Sequence, residues 1–180
     1  HKKCKINKNA NICRWLLYIQ KHYSDYMVND VDLSLGFRRI EKENYLRFPY
    51  WLITTFQPNV TYLKIKDVVN EINASKSKNQ KEAVCITRHD VFGQRERICQ
   101  DLNGILDISY AGLWRKNTDD LKVLYKDNKC KYMNLFKFNI CPENMDTIDY
   151  STEKIFDALI SGCIPIYSGC LNNPEPEIIN

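Results

Sequence analysis

Five polar side chains, Glu143, Asn144, Tyr150, Glu153 and Lys154, crowd into one stretch of this 180-residue sequence between two apolar runs. A helix N-terminus falls among them. It presents free N–H groups and a partial positive charge, which suits a phosphate. Lys154, in the first turn of that helix, adds a full positive charge where acids are usually preferred. Such a local penalty points to a task, and binding an anion is the task this chemistry fits.

The elements that must position this cluster lie on either side of it. Leu135, Phe136, Phe138 and Ile140 form a short, aromatic-weighted apolar run, as expected for a largely buried strand. Pro142 ends it, because proline lacks a backbone donor. Ser151 or Thr152 is placed to cap a helix whose apolar residues Ile155, Phe156, Leu159 and Ile160 recur at helical spacing. Gly162 stands where that helix must end, and Ile164, Ile166 and Tyr167 begin another strand around Pro165. Strand, helix and strand in this order predict a parallel pair with a right-handed crossover.

The same pattern extends backward. Ala83–Thr87 reads as a strand, Gln94–Leu102 as a helix, Ile105–Tyr110 as a strand and Asp119–Tyr125 as a helix. This alternation predicts a Rossmann-like α/β domain from about residue 78 onward. Before it, Ser75–Lys81 is a polar run without apolar residues and the best linker in the chain. Ile12–Ile19 and Asp32–Phe37 read as strands, Tyr45–Phe56 as an aromatic stretch interrupted by Pro49, and Leu63–Ala74 as a helix. The tail from residue 173 to 180 breaks off without a closing helix, so part of the sheet and its cover is expected to lie beyond this sequence.

Composition narrows the classes. Hydrophobic content of 44% and charged content of 27% are ordinary for a soluble globular protein. A net charge of +4 is too mild to argue for nucleic acid, and a basic face beside an anionic donor uses it equally well. No run approaches the roughly 18 apolar residues of a membrane span. No signal peptide is visible, but the chain starts at His1, so any membrane association is expected from segments not present here. Eight cysteines include no C-x-x-C pair, and with three histidines there is no zinc spacing. Cys85, Cys141 and Cys163 sit in apolar contexts and read as reduced, small hydrophobes. The sequons at Asn59 and Asn73 matter only in a secretory compartment.

Residues 134–168 also carry a resemblance. Phe138-Asn139-Ile140-Cys141-Pro142-Glu143-Asn144, Tyr150-Ser151-Thr152-Glu153-Lys154-Ile155 and Ile164-Pro165-Ile166-Tyr167-Ser168-Gly169 resemble the donor-binding segment of the α-1,3/4-fucosyltransferases, glycosyltransferase family 10. The corresponding family runs typically read Phe-Asn-Leu-Cys-Pro-Glu-Asn, Tyr-Val-Thr-Glu-Lys-Ile and Ile-Pro-Ile-Tyr-Trp-Gly. Weaker likenesses extend it. Asp32–Phe37 is similar to an Asp-Tyr-Ala-Ile-Gly-Phe element, Tyr45–Tyr50 to a Tyr-Leu-Arg-Met-Pro-Tyr element, and Gly112–Thr118 to a Gly-x-x-Arg-Asn-Thr segment. Coverage runs from about residue 16 to 170, and only 138–169 is highly specific.

The resemblance implies a GT-B fold, two facing Rossmann-like α/β domains with the nucleotide sugar bound mainly to the second. Residues 1–76 would be a partial, acceptor-side N-terminal domain, and 77–180 a GDP-fucose-binding C-terminal domain that is incomplete at its end. It implies an inverting, metal-independent fucosyltransferase moving fucose from GDP-fucose to a glycan hydroxyl. The expected acceptor is the 3-OH of N-acetylglucosamine in a lactosamine-type unit, with no cofactor beyond the donor and no nucleic-acid partner. The resemblance implies a cytoplasmic or membrane-peripheral protein in a bacterium and a Golgi membrane protein in a eukaryote.

Residue roles follow from the matched positions. Negative charge develops on the departing diphosphate, and without a metal Arg and Lys must compensate it. Lys154 would bind the diphosphate, and Asn144 and Tyr150 would contact the donor. Glu153 would contact fucose or hold its developing cationic charge, which makes it catalytic as well as donor-binding. Arg95, in the run Arg95–Asn103, resembles the family's Arg-Asn-x-Phe-x-x-x-Leu-Asn segment and would be a second diphosphate clamp, with Arg97 as the register alternative.

The base departs from the pattern. The family places a Glu about ten residues before its Asp-Tyr-Ala-Ile-Gly-Phe aspartate, and counting back from Asp32 lands on His22. A histidine with pKa of about 6.5 can accept the proton of an acceptor hydroxyl. Asp25 is reached with a small gap. The alternative is an impaired GDP-sugar-binding relative without its base. Asp30-Val31-Asp32 fits the D-x-D pattern of metal-dependent glycosyltransferases but overlaps the matched strand, so no metal site is expected. His89-Asp90 reads as a polar loop.

Overall fold

Strand β4, Lys81–Cys85, shows how the larger sheet is built. Its alternate residues feed opposite faces: Val84 joins Leu121, Tyr132, Met133, Phe136 and Ala158 on one side, while Ala83 and Cys85 join Cys99, Ile108 and Tyr110 on the other. A strand buried on both faces in this way is a parallel-sheet strand. In the computed structural model, which describes residues 15–17, 33–55, 61–75, 80–171 and 174–176, it pairs in parallel with β5 (Ile108–Tyr110) and β6 (Phe136–Ile140), and β6 pairs in parallel with β7 (Ile164–Ile166). The order is β5-β4-β6-β7. Helix α3 (Gln94–Asp101) covers one face, and α4 (Asp120–Val123), α5 (Lys129–Met133) and α6 (Glu153–Ile160) cover the other.

A smaller parallel sheet precedes it, β1 (Trp15–Leu17), β2 (Leu33–Gly36) and β3 (Tyr45–Arg47) in sequential order. Helix α1 (Trp51–Thr54) starts just after Pro49, and α2 (Tyr62–Ser75) follows. Helix α6 faces both halves. Ala158 packs on the larger sheet, whereas Ile155 and Phe156 pack on Trp51 of α1, with ring centroids of Trp51 and Phe156 4.6 Å apart. Burying Ile155 and Phe156 contributes about 1.5–3 kcal/mol each.

Several elements differ from expectation for local reasons. β4 starts two residues early, at Lys81, because the Lys81 N–H donates to the Leu135 carbonyl at 2.9 Å although its side chain and that of Glu82 are exposed. Its expected last residues, Ile86 and Thr87, leave the ladder and line a cleft. β5 starts late, because Ile105 and Leu106 turn back onto the Leu102 carbonyl past Gly104 at φ 79°. Helix α5 has little apolar periodicity to announce it and is capped by Asn128, whose side chain accepts from the Lys131 N–H. The Leu63–Ala74 helix forms, but Leu63, Val68 and Val69 are exposed among the described residues. The remainder of the Ile12–Ile19 strand, the interior of the Ser75–Lys81 linker and the expected domain division at 76/77 lie outside the described residues.

The loops after β4 and β5 meet at Gly112. A Cβ there would stand 1.9 Å from the Thr87 carbonyl oxygen and 2.5 Å from its nitrogen. Backbone on both sides leaves no flexible neighbour to yield. Gly112→Ala is expected to destabilise the fold by about 1–3 kcal/mol or more, read as a fall in the urea midpoint at unchanged slope.

Candidate functional site

The chain enters the larger sheet at β4, runs outward to β5, then returns to the other side of β4 as β6. The loops leaving β4 and β6 therefore diverge at their C-terminal ends, and a parallel sheet opens its ligand crevice at such a reversal. A cleft of about 930 Å³ lies there, lined by Thr87, His89, Arg95, Asn144 and Lys154 among others. Arg88, Lys116, Lys122 and Lys129 also line it, against Asp119 and Asp127, so its walls are mostly cationic.

Glu143 sets the geometry on the β6 side. Its N–H continues the ladder onto the Ser168 carbonyl at 2.7 Å, and its side chain has no solvent exposure. The carboxylate accepts from the Thr152 N–H at 2.7 Å, from the Thr152 hydroxyl, from the Lys154 ammonium at 2.7 Å and from the Tyr167 hydroxyl at 3.3 Å. This corrects the expected cap. Thr152 is the N-cap residue, yet its side chain makes no cap bond. Its hydroxyl and its N–H serve Glu143 instead, so a buried carboxylate supplies the negative charge that a helix N-terminus favours. The same carboxylate offsets the cation in the first turn.

Lys154 has a side chain 20% exposed. Of its three ammonium donors, one points to Glu143 and another to the Thr152 hydroxyl at 2.9 Å. Lys154 lines the cleft that Arg95 also lines. Arg95, in the first turn of α3, is 5% exposed. Its guanidinium donates to the carbonyls of His89 (3.2 Å) and Pro142 (3.3 Å) and to Asn144 Oδ1 (2.9 Å), fastening the β4 loop to the β6 loop. Asp90 lies 3.8 Å away and also accepts the Glu96 N–H, so it caps α3. Arg97 is exposed and lies outside the cleft lining, which leaves Arg95 as the register brought to the cleft.

Of the sequence-derived candidates, Arg95, Asn144 and Lys154 line this cleft, and Glu153 lines a smaller adjoining pocket with Arg95 and Lys154. Tyr150 is buried, its ring edge-on to Phe37 at 5.3 Å. Burial first, then the Glu143 and Glu153 carboxylates, push its phenol above the usual range, so it remains an O–H donor. The Tyr150 hydroxyl and Glu153 Oε2 are buried without hydrogen-bond partners. Each lacks a polar partner, and of the two residues Glu153 lines a cavity whereas Tyr150 lines neither the cleft nor the smaller pocket. His22, Asp25 and the Asp30–Asp32 triplet lie outside the described residues. Cys85, Cys99 and Cys141 are buried free thiols, and Cys130 is an exposed one.

Sequence reasoning missed two contributors. Gln94 donates to Asp146 at 2.9 Å and to Ser168 at 2.8 Å, bracing the loops after β6 and β7. Asp157 shares the smaller pocket with Glu153 and Lys154, and its spacing of four and three residues from them on α6 was the available signal. Burial, then the Glu153 charge, push its carboxyl up from 3.8 to about 6, while Lys129 and Lys154 pull it down. A raised acid pKa means the folded state holds the proton more tightly. Its contribution is present at low pH and is lost as pH rises through the folded value. Relative to the parent, Asp157→Asn should gain stability as pH goes from about 4 to about 7, measured by denaturant titration at each pH.

Comparison with known proteins supplies the lineage. The family model described as glycosyltransferase family 10 (fucosyltransferase) C-term matches residues 75–175. An alpha-(1,3)-fucosyltransferase FucT of Helicobacter pylori is 50% identical over 42 residues, 23% of this chain and 9% of that protein. An alpha-(1,3)-fucosyltransferase B of Drosophila melanogaster is 34% identical over 88 residues, 44% of this chain and 20% of that protein. A crystal structure of an alpha1,3-fucosyltransferase with GDP-fucose superposes at a TM-score of 0.65 with 22% identity, over 91% of this chain and 54% of that one. A second crystal structure of an alpha1,3-fucosyltransferase gives 0.66 with 24% identity, over 89% and 52%. The chain therefore spans about half of those solved chains, and its fold is the α/β, GT-B type, truncated relative to them. With more than half of its length under the family model, the chain belongs to glycosyltransferase family 10, the fucosyltransferases.

Proposed function

We propose that this chain carries the donor-binding part of an inverting, metal-independent fucosyltransferase that moves fucose from GDP-fucose to a glycan hydroxyl. One observation carries the reading. Arg95 and Lys154, from helices on opposite sides of the strand-order reversal, line one cleft and are positioned by buried partners. A departing diphosphate gains negative charge as the glycosidic bond breaks. Two cations held in place before the reaction stabilise that charge without reorganisation. Arg95 offers a planar fork and Lys154 a point charge.

The partnerless atoms beside the clamp fit the sugar. Glu153 Oε2 can accept from a fucose hydroxyl or stand against the developing oxocarbenium charge, and the Tyr150 hydroxyl can donate. Asn144, already bonded to Arg95, completes the donor contacts. Inversion requires the acceptor oxygen to attack from the face opposite the diphosphate, with a base taking its proton. His22 is that base in this reading, with Asp25 as the substitute. The acceptor is the 3-OH of N-acetylglucosamine in a lactosamine-type unit. A member that binds GDP-fucose but does not turn it over would instead be a sugar-nucleotide-binding relative.

Lys154→Ala and Arg95→Lys are expected to weaken GDP binding by about 1.5–3 kcal/mol, on the order of ten- to a hundredfold, in calorimetric titration. GDP affinities equal to the parent's in both variants would remove the clamp. In the full-length protein, release of GDP from GDP-fucose dependent on a lactosamine acceptor separates transferase from binding relative.

A further inference from the structure

The loop bearing Tyr150 is gripped from the smaller sheet. Asp149 is 4% exposed and adopts φ 62°, a left-handed conformation that Asp and Asn tolerate better than most residues. Its Oδ2 accepts the backbone N–H of Arg39 at 2.8 Å, and its Oδ1 accepts from the Arg39 guanidinium at 3.4 Å. The other end of that guanidinium donates at 3.2 Å to Glu175, a 2%-exposed carboxylate that also accepts from Arg47 and from the Trp51 indole at 2.8 Å. Arg39 thus spans two buried acids, and Phe37, two residues earlier, lies on the Tyr150 ring. Four consecutive positions, 149 to 152, follow from this grip. Ser151 N–H folds back onto the Asp149 carbonyl at 3.1 Å, and Thr152 is taken by Glu143.

From this arrangement we infer that the Arg39–Asp149 pair is a positioning device for the sugar end of the donor site. It acts through Tyr150, whose hydroxyl is buried without a hydrogen-bond partner, as is Glu153 Oε2 three residues on. The inference rests on the function proposed above. The diphosphate clamp has further anchors outside this grip, Lys154 on the buried Glu143 and Arg95 on His89 and Pro142, although Lys154 also donates to Thr152. Loosening Asp149 therefore moves the groups that meet fucose more than those that meet diphosphate. Affinity for GDP-fucose depends on the pair, and affinity for GDP depends on it weakly.

The test uses the full chain with Asp149→Asn, Arg39→Gln and the double variant, each titrated with GDP-fucose and with GDP, and each melted. Asn keeps the size and tolerates the left-handed backbone while removing the charge. Each single variant is expected to weaken GDP-fucose about fivefold or more and GDP less than about twofold, with the double variant no weaker than the worse single. Arg39→Lys, which keeps the charge, should recover part of the loss, and it serves as the reporter if the other variants melt below the assay temperature. GDP-fucose affinity unchanged in the variants overturns the inference. So does an equal loss for both ligands that follows the melting temperature, because that is a purely structural clamp. A parent chain that binds neither ligand overturns the proposed function itself, and the inference with it.

Discussion

A carboxylate with no access to water has to be satisfied by what surrounds it, and Glu143 is such a group. Three neighbours do this: the start of α6 through Thr152, the ammonium of Lys154, and the hydroxyl of Tyr167 on the segment after β7. Gly169 lies so close that a Cβ there would stand 2.6 Å from the Glu143 Cβ. A buried pair of this kind contributes little net stability compared with an apolar substitute, yet losing one partner costs about 3–5 kcal/mol. Its consequence is therefore geometric. One arrangement of the β6 loop, the α6 N-terminus and the β7 exit satisfies the charge, and in it Lys154 lines the cleft.

Topology supplies the opposite wall. Because strand order reverses between β4 and β6, the helices that follow these strands pack on opposite faces of the sheet, and their N-terminal turns bracket the crevice. Arg95 comes from one and Lys154 from the other. The guanidinium bridges to Pro142 and Asn144 on the far loop, so the two walls are joined before any ligand arrives. Preorganised charge of this kind is what a reaction with an anionic leaving group requires. The smaller sheet adds support from outside through Phe37, Arg39 and Trp51, which reach the Asp149–Tyr150 loop and α6.

Legibility in the sequence followed the range of the interactions. Strand β6, helix α6 and strand β7 were readable nearly to the residue, because apolar periodicity, Pro142 and Gly162 act within a few positions. Helix α5 was not, since its stability comes from Tyr132 and Met133 packing on the sheet and not from a periodic face. Thr152 looked like a cap because its type and place are right. A carboxylate nine residues earlier took its donors instead, and only the fold brings the two together. The contacts of Glu175 with Arg39, Arg47 and Trp51 span more than a hundred residues of sequence and leave no local mark.

The candidate site divides in the same way. Asn144, Tyr150, Glu153 and Lys154 were visible as a polar cluster at a helix start, and Arg95 through the family resemblance. Asp157 and Gln94 were hidden, because burial and not residue type gives them their character. The account comes down to where a diphosphate sits. A crystal structure of this chain with GDP measures it directly: the phosphates should lie between Lys154 Nζ and the Arg95 guanidinium, with both cations within about 3 Å of phosphate oxygens. Phosphates seated on the Lys116 and Lys122 side of the cleft, with Lys154 still bonded only to Glu143 and Thr152, would contradict it.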